Sequence, residues 1–184
     1  LGIFRTPRTP PHEDLVNVLH AVSSRRADIG YVQGQSFLAG VLLMYMPADE
    51  AFVALANLLD HHFFKSFGSF DLANIRLHVN AFEALLKQHL PLLFDHFKRL
   101  HLLPEHYLFD WYVTLFAKPL PLPKSGLIWD CYLMDGPNFI PRITVAILKQ
   151  FSTRLIQFNF EECMKLLQQL PDDLDIAQIV SEMS

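Results

Sequence analysis

Apolar residues return every three or four positions along almost the whole of this chain, and nowhere do they alternate with period two for long. The first spacing lines one face of a helix; a half-buried strand would need the second. The chain is therefore read as all-α. Residues 13–26 carry Leu15, Val18, Leu19 and Val22 on one stripe, and 34–46 are so uniformly apolar that this helix should be buried on all sides. Residues 47–61 open with Pro47, Asp49 and Glu50, the proline and acids that suit a helix N-terminus. Further helices are expected over 71–89, 91–101, 105–117, 125–134, 139–156, 160–170 and 174–183, about ten in all. Pro119, Pro121 and Pro123 forbid both helix and central strand, so 118–124 reads as an extended connector and a candidate subdomain seam. Residues 1–184 otherwise read as one domain.

Composition narrows the function classes. Hydrophobic residues make up 51% and charged residues 18%, with a net charge of −4. That excludes a disordered chain, and it argues against a phosphate-tracking surface, so no nucleic-acid partner is expected. No apolar run approaches the ~18–20 residues needed to cross a bilayer, so no direct membrane insertion is expected. Arg5 and Arg8 are followed by Pro10 and Pro11 and not by the apolar stretch of a signal peptide. Two distant cysteines, Cys131 and Cys163, make no disulfide framework and fit a reducing compartment.

The least core-like segment between strong helices is Asp28-Ile29-Gly30-Tyr31-Val32-Gln33-Gly34-Gln35-Ser36-Phe37. Gly30 and Gly34 permit unusual φ and close backbone approach. A glutamine presented between them has one acceptor and two donors in a plane, enough to hold a water and touch a phosphate oxygen together. The following helix N-terminus adds positive potential for an anion. The alternative is an interhelical turn whose glutamine only caps backbone groups, and from this short motif alone the turn is favoured.

Other chemistries find less support. His96, His101 and His106 are spaced by five, which turns each ~140° from the last on a helix, and His61 and His62 point apart, so no metal site is expected. Ser36 lacks a nucleophile-elbow frame, and Cys131 and Cys163 fall within apolar helical patterns. Asp110 and Asp130 each adjoin a tryptophan, Trp111 and Trp129. They are read as buried hydrogen-bond partners tying helices together, because a buried charge must be paired. Arg5 and Arg8 read as an exposed basic loop.

The run Asp28-Ile29-Gly30-Tyr31-Val32-Gln33-Gly34 resembles the glutamine-finger motif of TBC domains, the catalytic domains of Rab GTPase-activating proteins. Leu1-Gly2-Ile3-Phe4 is similar to the segment ahead of that family's first conserved helix pair, and residues 51–59 to the helix after the motif. Residues 109–116 and 128–136, with Trp111, Trp129 and Asp130 as structural signature, are similar to its third signature region; Ala146-Ile147-Leu148 continues it. The resemblance covers nearly the whole chain. It implies an all-α, V-shaped domain of two helical halves that binds a Rab-family GTPase in its GTP form. It implies that Gln33 orients the attacking water in trans, that Gly34 admits the GTPase switch, and that Asp28, Gly30 and Tyr31 support the loop or touch the partner. No cofactor of its own is implied, since GTP and Mg belong to the GTPase, and no reaction of its own. A cytoplasmic protein recruited peripherally to endomembranes is the implied setting.

Departures from the pattern matter. The family's arginine finger sits in an Ile-x-x-Asp-x-x-Arg motif ahead of the Leu-Gly-Ile-Phe segment, whereas this sequence begins at Leu1. The expectation is an N-terminally truncated TBC domain, weak or inactive without that arginine. Arg5 and Arg8 lie on the wrong side of residues 1–4 to substitute. A non-catalytic GTPase-binding module is the alternative, and a helical scaffold without GTPase contact a weaker one. Gln35 stands where the family usually has Met, and Leu127 where an Arg often precedes Ile-Trp-Asp.

Overall fold

The computed structural model describes residues 11–26 and 30–183. Among them are eleven α-helices, a single 3-10 turn and no strand. The apolar periodicity thus forms helices throughout, as read from the sequence. Helices α1 (His12–Arg25), α2 (Gln35–Leu43) and α3 (Ala48–Asp60) pack on one another, and α3 runs on into α4 (His62–Gly68). Helix α5 (Leu72–His89) packs against α6 (Pro91–Arg99) and α9 (Phe139–Leu155). Helix α9 also meets α8 (Leu122–Asp135) and α11 (Ile176–Met183). Helices α7 (Leu108–Val113) and α10 (Phe160–Gln168) complete the chain.

Local chemistry sets the boundaries. Asp71 caps α5 by accepting from the Asn74 N–H at 3.2 Å, and Asn159 and Glu162 form a reciprocal box at the start of α10. Gly136, at φ 76°, ends α8. One core runs through the molecule, from Val18 and Val22 of α1 through Leu38 and Leu43 of α2 to Leu148 and Leu155 of α9.

Three boundaries differ from expectation. Helix α4 fills a stretch between 61 and 71 to which the sequence reading assigns no element: it inserts Phe63, Phe64 and Phe67 into an aromatic cluster with Tyr112 and Tyr132. The helix expected over 105–117 is only α7, because Leu115 and Phe116 take left-handed φ values of 45° and 63° while fully buried. Two non-glycine residues hold that conformation because their surroundings fix them: the Phe116 N–H donates to Trp111 O at 2.8 Å, and Leu115 O accepts from the Trp129 indole. The connector also ends sooner than expected, since α8 begins at Leu122 with Pro123 in its first turn. A first-turn residue has no intrahelical acceptor for its N–H, so proline is tolerated there. The connector is tied down where the Leu170 N–H donates to Pro119 O at 3.0 Å.

Candidate functional site

The α1–α2 connection is anchored before it becomes a site. Arg25 and Arg26, at the end of α1, both bond to Asp60 at the end of α3, at 3.1 and 2.5 Å. The Gly30 N–H donates to Arg26 O at 2.7 Å, and Gly30 takes φ 69°. Val32 then turns into the core, and Gln33 and Gly34 form a tight turn into α2. The Gln35 N–H donates to Val32 O at 3.1 Å and the Phe37 N–H to Gly34 O at 3.0 Å. Gln33 is left exposed, with Tyr31 at 53% and Phe37 at 41% exposure beside it. The Tyr31 hydroxyl lies 3.4 Å from Ser36 Oγ. A groove of about 520 Å³ runs from Tyr31 along Val16, Leu19 and His20 of α1.

Gly34 is closed in by internal packing. At φ 107° it is in the left-handed region, and a Cβ on it would stand 2.7 Å from Val113 Cγ1 and 3.3 Å from Thr114 Cγ2. Its bare side is filled by the end of α7 and does not face outward. Glycine is required here by internal packing and by φ together. Gln35, beside it, is only 5% exposed. Its Oε1 is buried with no hydrogen-bond partner among the described residues, and it lines a cavity of about 10 Å³ with Arg26 and Gly30.

The tryptophan region lies behind this loop. The Trp111 Nε1–H donates to Leu167 O at 2.8 Å and the Trp129 Nε1–H to Leu115 O at 3.0 Å, both fully buried. These indoles, and not the neighbouring carboxylates, tie distant segments together. Asp110 corrects the expectation of a buried partner: it pairs with Lys118 at 2.5 Å, with the two side chains 45% and 38% exposed. Such an exposed pair contributes about 0–1 kcal/mol. Asp130 is half-buried, and its Oδ1 has no hydrogen-bond partner among the described residues.

The remaining candidates have structural explanations. His96 bonds to Phe158 O, His106 Nδ1 accepts from the Leu103 N–H, and His61 lies 3.3 Å from the Tyr132 hydroxyl. Both cysteines are free, and burial pushes the Cys163 thiol up to about 11, away from the reactive thiolate. Burial also raises the Cys131 thiol. Leu127 is partly exposed on α8. Asp28, Arg5, Arg8 and residues 1–4 lie outside the described residues.

The structure therefore brings Gly30, Tyr31, Gln33 and Gly34 into one short connection and sets Trp111 of α7 and Trp129 of α8 in the core. The sequence reading missed Val113 and Thr114 as the backing of that turn, and Phe37 as part of its exposed rim. Nothing local could reveal the first pair, because their contact with Gly34 joins distant parts of the chain.

The family model of the Rab-GTPase-TBC domain matches residues 3–156. This chain belongs to that family. TBC1 domain family member 14 of Homo sapiens is 37% identical to this TBC domain over 175 residues, 95% of this chain and 25% of that protein. TBC1 domain family member 12 of Xenopus tropicalis is 38% identical, over 90% of this chain and 24% of that protein. Drainin of Dictyostelium discoideum is 38% identical, over 88% of this chain and 37% of that protein. The chain spans about a quarter of the length of the first two relatives. The fold is shared with the Chlamydomonas flagellar RabGAP TBC domain, at a TM-score of 0.82 and 22% identity, covering 93% of this chain and 58% of the other. It is shared also with the Ypt/Rab-GAP domain of Gyp1p, at 0.73 and 19%, covering 93% and 63%.

Proposed function

We propose that this TBC domain activates GTP hydrolysis by a Rab-family small GTPase in its GTP form, with Gln33 entering the partner's active site. The observation that carries this reading is the exposure of Gln33 at the head of a turn whose neighbours are buried. A planar amide in that position can accept from the attacking water and donate to a phosphate oxygen at once. Orienting the water is one of the recurring parts of GTPase chemistry, and the GTPase itself holds the nucleotide and Mg. The domain contributes side chains to its partner's reaction and carries out none of its own. Exposed Tyr31 and Phe37 flank the glutamine and suit a contact surface on the partner.

Charge stabilisation is the other half of the chemistry. An arginine supplied in trans contributes ~10³–10⁵ in rate in related GTPases. Residues 1–184 contain no Ile-x-x-Asp-x-x-Arg motif, so a polypeptide of these residues alone is expected to accelerate hydrolysis weakly or not at all. Through its GTPase, the protein would meet endomembranes from the cytoplasmic side.

The test is single-turnover GTP hydrolysis by a panel of Rab proteins, using the natural full-length chain and the 184-residue polypeptide. The full-length chain should accelerate at least one Rab, and Gln33→Ala should abolish the effect. GTP-dependent binding without acceleration would replace this reading with that of a non-catalytic GTPase-binding module. Acceleration that survives Gln33→Ala would remove the assigned role of the glutamine.

A further inference from the structure

The backing of the glutamine turn comes from another part of the chain. Gly34 is held at φ 107° with Val113 Cγ1 and Thr114 Cγ2 occupying the space where any other residue would place its Cβ. Both backing side chains are themselves fixed. Val113 is buried at the end of α7. The Thr114 hydroxyl donates to Asp110 O at 2.7 Å and accepts from the Lys118 N–H at 3.2 Å, which leaves its methyl group directed by two hydrogen bonds. On the other side, the Gln35 N–H to Val32 O and Phe37 N–H to Gly34 O bonds close the turn. Gly34 is thus clasped between a closed turn and a two-methyl shelf, and Gln33 precedes it directly.

We infer that Val113 and Thr114 are positioning residues for Gln33, their methyl groups holding Gly34 in the left-handed conformation that leaves the glutamine exposed. The inference rests on the reading of Gln33 as the water-orienting residue. A glutamine that must meet a water and a phosphate oxygen together tolerates little displacement, and a shift of about 1 Å can cost ~10²-fold in rate. The turn's own backbone bonds each span only three residues and none of them is made by Gln33, so what lies behind Gly34 adds the long-range support.

The experiment uses the full-length chain and a Rab that it accelerates. Val113→Ala removes the closer wall, and Thr114→Ser removes only the methyl while keeping both hydroxyl hydrogen bonds. Val113→Thr keeps the branched shape, and its hydroxyl can bond back to the carbonyl four residues earlier, as Thr114 and Thr144 do. Each variant is measured for maximal single-turnover rate, half-saturating concentration, melting temperature and hydrogen exchange at the Gln35 amide. Val113→Ala should lower the maximal rate about 10-fold and Thr114→Ser about 3-fold, with half-saturation changed by less than about two-fold. Gln35 exchange should speed up in both, and Val113→Thr should recover rate and protection.

Wild-type rate and exchange in folded Val113→Ala and Thr114→Ser overturn the inference. So does faster exchange with an unchanged rate while Gln33→Ala is inactive, because the shelf would then hold the turn without positioning the glutamine. Loss that tracks melting temperature and half-saturation, without recovery in Val113→Thr, also overturns it. If Val113→Ala does not fold, Thr114→Ser decides. If Gln33→Ala keeps full acceleration, the reading of Gln33 fails first and the inference falls with it.

Discussion

The glutamine turn and the tryptophan region meet at Gly34, yet they are held in opposite ways. Around Trp111 and Trp129, large buried rings carry their own anchors: each indole N–H reaches a carbonyl far along the chain. Around Gln33, the side chains of Tyr31, Gln33 and Phe37 face solvent, and what fixes the turn is a glycine pressed against Val113 and Thr114. One region supplies stability to the whole domain; the other draws its rigidity from that region and keeps Gln33 at the surface. Under the proposed function, a side chain that enters another protein's site cannot also be anchored in its own core, and support from behind answers that requirement.

Five substitutions test this contrast, in decreasing order of their expected effect on stability. Trp111→Ala or Trp129→Ala should cost about 3–5 kcal/mol, from the lost packing and the carbonyl left unpaired, and lower the melting temperature by roughly 10 °C or more. A melt close to wild type would end the claim that this region carries the stability. Gly34→Ala should cost about 1–3 kcal/mol, because it adds a Cβ both at positive φ and within 2.7 Å of Val113. It should also abolish stimulated hydrolysis, and full activity with a normal melt would show that the clasp is dispensable. Asp110→Asn breaks only the half-exposed pair with Lys118, so chemical denaturation should shift by no more than about 1 kcal/mol, and less at high salt. Gln33→Ala should leave stability within about 0.5 kcal/mol of wild type while removing the acceleration. A large loss of stability there would mean that the glutamine serves the fold after all.

Much of this contrast was legible in the residues. The spacing of Leu15, Val18, Leu19 and Val22 marked α1, and the paired glycines marked the turn ahead of α2. The less legible features depended on partners distant in sequence. Nothing in Thr114-Leu115-Phe116 announces a left-handed turn, since no glycine is present; the indole of Trp129 and the carbonyl of Trp111 impose it. Helix α4 carries no cap or proline signal and is held by its phenylalanines against Tyr112 and Tyr132. Asp110 reads from the sequence as a buried hydrogen-bond partner because it adjoins a tryptophan, yet adjacent helical positions face different directions, and it emerges at the surface beside Lys118.

The sequence by itself determined the helical class, the family, and the turn that carries Gln33, because periodicity, glycine placement and motif order are properties of neighbouring residues. Tertiary structure alone decided what that turn rests on. Gly34 admits a left-handed bend in any context, but only the arrival of Val113 and Thr114 from α7 removes the alternatives. Excluded volume between segments that never meet in sequence sets the orientation of the glutamine.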